Sequence, residues 1–281
     1  MAMWSETYKQ ILARLEHEPL CWVQVHATRG SVPRESGAWM AVFADQMLGT
    51  IGGGHLEWQA MEQARQLLGQ WQAAGNASDR SHVQRYALGP SLGQCCGGNV
   101  ELHYSWFGVG EGARLRGLLP VPTSCVALFG AGHVGHALVR ILGSLPYRVI
   151  WVDSRDAVFP QQEQIGVECE HSDPVQAAVD DLPARSQVLI MSFSHAEDLE
   201  IVARCLLRQR QHGDLPYIGL IGSKTKWATF SRRLRERGFS DEELAQVTCP
   251  IGVPGIDGKE PEVIAVAVAA QLLQQRQSQQ L

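Results

Sequence analysis

The sequence predicts an α/β protein: an N-terminal α/β domain over residues 1–112, followed by a Rossmann-like doubly wound parallel-sheet domain over residues 120–281. Three observations carry that prediction. Beyond residue 124, short apolar runs alternate with helical patterns, as parallel strands joined by crossover helices require. A glycine-rich turn, Gly130-Ala131-Gly132-His133-Val134-Gly135, lies directly between one such run and one such helix. Residues 108–124, carrying Gly108, Gly110, Gly112, Pro120 and Pro122, form the best candidate junction between the two patterns.

Residues 5–17 read as a short amphipathic helix with Tyr8, Ile11, Leu12 and Leu15 on one face. Residues 20–28 read as a strand and 30–37 as a polar loop. Residues 38–44 resume as a strand that turns at Asp45 and Gln46 into a hairpin partner at 47–51. Gly52-Gly53-Gly54 opens a helix from about His55 to Leu68. A loop at 76–81 leads to a strand at 83–88, and residues 100–107 form another. In the second half, strands are expected at 125–129, 148–152, 188–192 and 217–221. Helices are expected at 133–145, 174–181, 199–211, 226–237 and 261–275, with Pro261 suited to a first turn. The Gln-rich end, 271–280, is expected to fray.

Composition narrows the function classes. A net charge of −5 argues against a general nucleic-acid binder. No apolar run reaches the roughly 18 residues of a membrane span, and no basic segment leads into an apolar one at the start. The seven cysteines are odd in number and scattered at 21, 95, 96, 125, 169, 205 and 249, which is not a disulfide framework, and none shows zinc-type spacing. A reducing cytoplasm is the expected compartment.

Two segments carry chemistry. In Gln94-Cys95-Cys96-Gly97-Gly98, adjacent thiols sit between glycines. Neighbouring cysteines rarely bridge each other because the short ring is strained, and burial does not explain a pair that would point to opposite faces of a strand. Such a dithiol suits redox chemistry, sulfur transfer or capture of a soft metal. In the second segment, Gly130 allows the tight turn, Gly132 lets backbone approach a pyrophosphate and Gly135 lets helix and strand pack closely. Asp153 stands at the end of the next strand, where an acid accepts from ribose hydroxyls, although Arg155 nearby complicates discrimination against a 2′-phosphate. No recognisable catalytic set accompanies this fingerprint: His133, His136 and His195 are available, while Ser194-His195-Ala196-Glu197-Asp198 reads better as a helix cap than as a pocket. Ile221-Gly222-Ser223-Lys224-Thr225-Lys226 lacks P-loop spacing but could meet an anion at the carboxyl edge of the sheet.

Together these segments resemble the XdhC/CoxI family of xanthine dehydrogenase accessory proteins. The resemblance rests on Gly30-Ser31-Val32-Pro33-Arg34, on residues 49–57 (Gly-Thr-Ile-Gly-Gly-Gly-His-Leu-Glu) and on residues 88–98 ending in Cys95-Cys96-Gly97-Gly98. The second half adds Phe129 to Gly135, residues 217–224 and Cys249-Pro250-Ile251-Gly252. Residues 253–262 and Ala270-Gln271 depart from the family pattern, so the role of the closing helix transfers less directly. The resemblance implies a chaperone for the molybdenum cofactor in its molybdopterin form. Such a protein would support sulfuration with a cysteine desulfurase and deliver the cofactor to a xanthine dehydrogenase-type molybdenum hydroxylase. The residues suit an anionic, oxidisable ligand. Gly52, Gly53 and Gly54 at a helix start offer N–H groups to a phosphate, Arg34 adds a fixed charge, and Cys95 and Cys96 offer soft ligation. Gln94, Gly97 and His55 flank these groups, and His55 and Glu57 equally suit capping and solvation. At the Rossmann-like turn two readings stand equally: it binds NAD(P) or another nucleotide, or its glycines serve only strand–helix packing and bind nothing. A two-fold homodimer is the default assembly. The competing class is an NAD(P)-dependent oxidoreductase acting on a small metabolite, with an incidental dithiol; a scaffold that binds only protein partners is a third.

Overall fold

The computed structural model describes residues 2–75, 80–88, 97–118, 124–161 and 166–278. The chain divides into two compact units, Glu6–Val121 and Pro122–Leu281 together with Met1–Ser5. Gln94, Cys95 and Cys96, the loop at 76–79, the core of the expected junction (119–123) and the last three residues lie outside the described residues.

The first unit is built on an antiparallel sheet. Its elements are helix α1 (Ala2–Leu15), strands β1 (Leu20–Arg29), β2 (Trp39–Val42) and β3 (Met47–Thr50), helix α2 (Gly54–Ala73), and strands β4 (Ser81–Ala87) and β5 (Asn99–Phe107). The strand order is β3-β2-β1-β5-β4. Alternation along β1 and β5 puts Val23, Val25, Leu102 and Tyr104 on one face, where Leu56, Ala60, Ala64 and Leu67 of α2 cover them. α2 runs five residues beyond the expected end at Leu68. The glycine-rich stretch expected as a plain junction contains a further short helix, α3 (Gly112–Arg116), with Leu115 buried.

The second unit is a six-stranded parallel sheet of β6 (Ser124–Phe129), β7 (Tyr147–Asp153), β8 (Val167–His171), β9 (Gln187–Ile190), β10 (Tyr217–Leu220) and β11 (Val247–Thr248). The spatial order β11-β10-β9-β6-β7-β8 reverses direction between β6 and β9, the doubly wound arrangement. Helices α4 (His133–Leu142) and α8 (Pro261–Ser278) cover one face over Val126, Leu128 and Trp151. Helices α5 (His195–His212) and α6 (Lys224–Glu236) cover the other over Ala127, Phe129, Val188 and Ile190, and the short α7 (Asp241–Leu244) follows. The fold class is thus as the sequence predicts. Several details differ: α7 lies outside the expected elements, and α8 continues to Ser278 through the Gln-rich stretch expected to fray. The expected helix at 174–181 is a single 3-10 turn, Val175–Val179. β8 and β11 were not expected. β8 is a largely exposed edge strand whose Glu168, Glu170 and His171 hide the alternation that marks half-buried strands. β11 is two residues long.

No described helix is long and apolar enough to cross a membrane.

Candidate functional site

In the first unit, three segments far apart in sequence meet at the loop of residues 30–37. Gly52 has φ +125°, and a Cβ there would lie 2.5 Å from Pro33 Cβ and 3.2 Å from Arg34 Cγ. A Cβ on Gly98 would lie 2.5 Å from the carbonyl oxygen of Arg29 and 2.6 Å from that of Ser31. Glycine is therefore required at both places, because backbone of one segment rests against the next. Gly97 and Gly98 tie the dithiol segment to this loop. The Leu88 N–H donates to the Gly98 carbonyl at 2.7 Å, closing the two ends of the segment that carries Gln94, Cys95 and Cys96. Arg34 is exposed at this meeting point.

The glycine run itself is less open than its sequence implies. The Gly53 N–H donates to Glu57 Oε2 at 3.1 Å and the Ile51 N–H to the same oxygen at 2.9 Å. The Thr50 hydroxyl donates to that carboxylate too, while the Gly52 N–H donates to Thr50 Oγ1 at 3.1 Å. Two of the three glycine N–H groups expected to face a phosphate are thus engaged within the chain, and a carboxylate stands among them. The donors this helix start offers are those of Gly54, His55 and Leu56, the first-turn groups that no intrahelical carbonyl reaches. The His55 ring tilts against Trp58 at 5.5 Å and lies 3.2 Å from the Gln59 side-chain amide.

In the second unit, the fingerprint glycines separate by role. A Cβ on Gly130 (φ +118°) would lie 2.0 Å from the Met191 carbonyl oxygen, at the point where β6 meets β9. A Cβ on Gly135 would lie 2.2 Å from the Gly130 oxygen, so α4 packs directly on the turn. Gly132, which caps α4, has nothing within 4 Å of that position. Two glycines serve packing; the third faces open space, where an approaching pyrophosphate needs it. Asp153 is buried at the end of β7. Its carboxylate accepts from the Ala131 N–H at 2.6 Å, the Arg155 N–H at 2.9 Å and the Arg155 guanidinium at 2.9 Å. Burial opposes ionisation, but Arg155 and these N–H donors outweigh it and hold the carboxyl below its usual range. Asp153 thus anchors the glycine turn, and ribose contacts expected of it must share oxygens that already have partners. The Arg155 guanidinium sits 4.7 Å over the exposed Phe193 ring.

The other sheet-edge candidates resolve into structure. Ser194 caps α5, its hydroxyl accepting from the Glu197 N–H, while Asp198 accepts from Ser192 N–H and Oγ at 2.8 Å. Lys226 Nζ donates to Asp198 Oδ2 at 2.6 Å and to the Ile221 carbonyl at 2.8 Å, so this lysine is committed and anion contact at this edge falls to Lys224. A cavity of about 330 Å³ opens beside it, lined by Gly222, Pro250, Gly252, Ile256 and Lys259 among others. Much of its lining comes from residues 253–259, where the sequence leaves the family pattern.

Five thiols are described. Cys21, Cys125 and Cys205 are buried, Cys249 is half-buried and Cys169 exposed. Burial raises all five thiol pKa values, that of Cys205 to about 12.

Residues 126–272, more than half the chain, match the XdhC Rossmann domain, and residues 13–81 match the XdhC and CoxI family. The chain belongs to the XdhC family. An XdhC-type fold also agrees with a crystal structure from Bacillus halodurans described as a xanthine dehydrogenase. That chain is 20% identical, superposes with a TM-score of 0.70 and is covered to 96% on both sides, a likeness of fold. The Escherichia coli K12 protein YqeB, described as uncharacterized, is 29% identical over 273 residues. That match takes in 93% of this chain but 45% of YqeB, so the chain spans less than half the length of this curated relative. Within the XdhC frame, Glu57 takes the capping role that its sequence position allows, while the part of Asp153 as a turn anchor escapes sequence reasoning. A glycine run followed by an acid four residues on was the available signal for Glu57.

Proposed function

We propose that this XdhC-family protein holds the molybdenum cofactor, supports its sulfuration with a cysteine desulfurase, and passes it to a xanthine dehydrogenase-type molybdenum hydroxylase. The observation that carries the reading is the convergence of residues 30–34, residues 50–57 and both anchors of the dithiol segment on one loop of the first unit. The donor set fits such a ligand at two ends. Arg34 and the N–H groups of Gly54 to Leu56 suit the phosphate, with Glu57 confining that anion to the outer first turn. Cys95 and Cys96 suit the sulfur-rich, oxidisable end as thiolates. Bound, the cofactor would bring a molybdenum centre open to sulfuration by the desulfurase; Arg34, the N–H groups of Gly54 to Leu56, Cys95 and Cys96 would hold it, orient it and shield it from oxidation. In the second unit, the open space at Gly132 above the start of α4 supports binding of NAD(P) or another nucleotide.

The test loads purified protein with molybdenum cofactor and measures retained pterin, by fluorescence after oxidation, and molybdenum, by elemental analysis. The parent retains both, and the Cys95→Ala/Cys96→Ala variant loses at least tenfold in affinity while keeping its far-UV spectrum. Equal retention by the variant removes the dithiol from the site. Absence of retention in the parent, with substrate-dependent change in nicotinamide absorbance, replaces the proposal with an NAD(P)-dependent oxidoreductase.

A further inference from the structure

The sheet face of the first unit opposite α2 carries, where it is partly open, a side-chain cluster that the proposed function does not use. β1 and β5 pair antiparallel with Val25 opposite Leu102 and Ala27 opposite Glu101, so His26 is the extra residue of a β-bulge. Bulges re-aim side chains. Here the bulge places His26 beside Glu101 and His103, which share one face of β5 because they are two residues apart. The His26 and His103 rings stack with centroids 3.8 Å apart and planes within 9°. One nitrogen from each histidine and one carboxylate oxygen of Glu101 all lie within 4.8 Å of one another. The Glu101 carboxylate is already oriented: Arg85 Nε on β4 holds Oε2 at 2.7 Å, leaving Oε1 turned to His103 Nε2 at 3.5 Å.

We propose that His26, Glu101 and His103 form a binding site for a borderline divalent transition-metal ion of the Zn²⁺ class. Two imidazoles and one carboxylate are the ligand types such ions select over Mg²⁺ or Ca²⁺, which take oxygen sets. Three protein donors, one exposed and two half-buried, leave at least one coordination position for water or an exogenous ligand. Metal–nitrogen bonds of about 2.0–2.1 Å require the present spacing to tighten by roughly an ångström, a movement that χ rotation of the exposed His26 can supply. Arg85 then plays the outer-shell part of fixing the carboxylate. His26 lies more than 70 residues before Glu101 and His103, so no spacing motif announces the full site.

The experiment titrates the full chain with Zn²⁺ against a chromophoric chelator and records the Co²⁺ spectrum. One equivalent should bind, with d–d bands and no thiolate-to-metal charge transfer. His103→Ala and His26→Asn should each weaken binding at least tenfold at unchanged thermal midpoint, and Cys95→Ser/Cys96→Ser should leave it intact. The exposed position of His26 keeps the test alive if His103→Ala does not fold. The inference is overturned if the parent takes up no ion, if both histidine variants bind like the parent, or if the signal is a thiolate band lost with the cysteines.

Discussion

The two glycine turns of this chain are built alike and closed differently. One follows β3 and opens α2; the other follows β6 and opens α4. Both helices begin at a glycine with no side-chain cap, and in both turns a carboxylate accepts from backbone N–H groups of the glycine-rich segment. Around Gly52 to Gly54 the acid is Glu57, from the first turns of the same helix, and no cation pairs with it among the described residues. Around Gly130 to Gly132 the acid is Asp153, delivered by the next strand and neutralised by Arg155. The first turn is thus a local closure whose carboxylate has no ion-pair partner among the described residues. The second is a tertiary closure whose charge is cancelled, leaving the helix N-terminus free to favour an anion. The difference teaches that a glycine-rich helix start is a ligand site only to the extent that its own chain has not already filled it.

The sharpest way to break this comparison is Gly130→Ala. Positive φ and the Met191 carbonyl at 2.0 Å leave a methyl nowhere to go, and the neighbour is backbone, so a loss of about 3 kcal/mol or more is expected in urea unfolding. Gly53→Ala, also at positive φ but with nothing within 4 Å, should lose only about 1 kcal/mol.

Asp153→Asn comes next, at about 2 kcal/mol, since Arg155 and the Ala131 N–H lose their charged partner. The folded-state pKa of Asp153 is depressed, so its contribution is complete above the ordinary carboxylate value of about 3.9 and is lost as pH falls through the folded value. Stability measured from pH 7 down to pH 3 should therefore fall less steeply on the acid side in the variant than in the parent.

Glu57→Ala should lose about 1–2 kcal/mol by stranding the Ile51 and Gly53 N–H groups. If the first turn is closed by its own acid, the variant should also gain affinity for inorganic phosphate. No gain would mean that Glu57 was not the obstacle. The smallest stability effect is expected at Gly132: Gly132→Val should change unfolding by less than about 0.5 kcal/mol, because the position is open. Calorimetric nucleotide binding should nevertheless disappear.

The strands of the second unit were legible because buried parallel strands read as continuous apolar runs, as in Val188-Leu189-Ile190. β8 was not, because an edge strand with one covered side and three polar residues carries no apolar signature. After Pro174, Val175, Ala178 and Val179 keep helical spacing over too short a span, so the sequence predicts a helix where a 3-10 turn forms. At the sites, the residues were visible but their partners were not. Asp153 and Arg155 could be read from sequence, while the Ala131 N–H that commits the acid depends on how β6 and β7 pair. His26 and His103 could meet only through a bulge in a pairing between strands some 75 residues apart.

The buried thiols have a consequence for reaction kinetics. A thiol attacks electrophiles through its thiolate, and a raised pKa leaves little of that form at neutral pH. The five described cysteines therefore constitute a slow background toward alkylating reagents, with Cys21 and Cys205 slowest because reagent must also reach the core. With the exposed Cys169 replaced by serine, any fast phase of iodoacetamide incorporation would have to come from outside this described set, where Cys95 and Cys96 lie. Its amplitude then counts how many of that pair remain unmodified in any preparation.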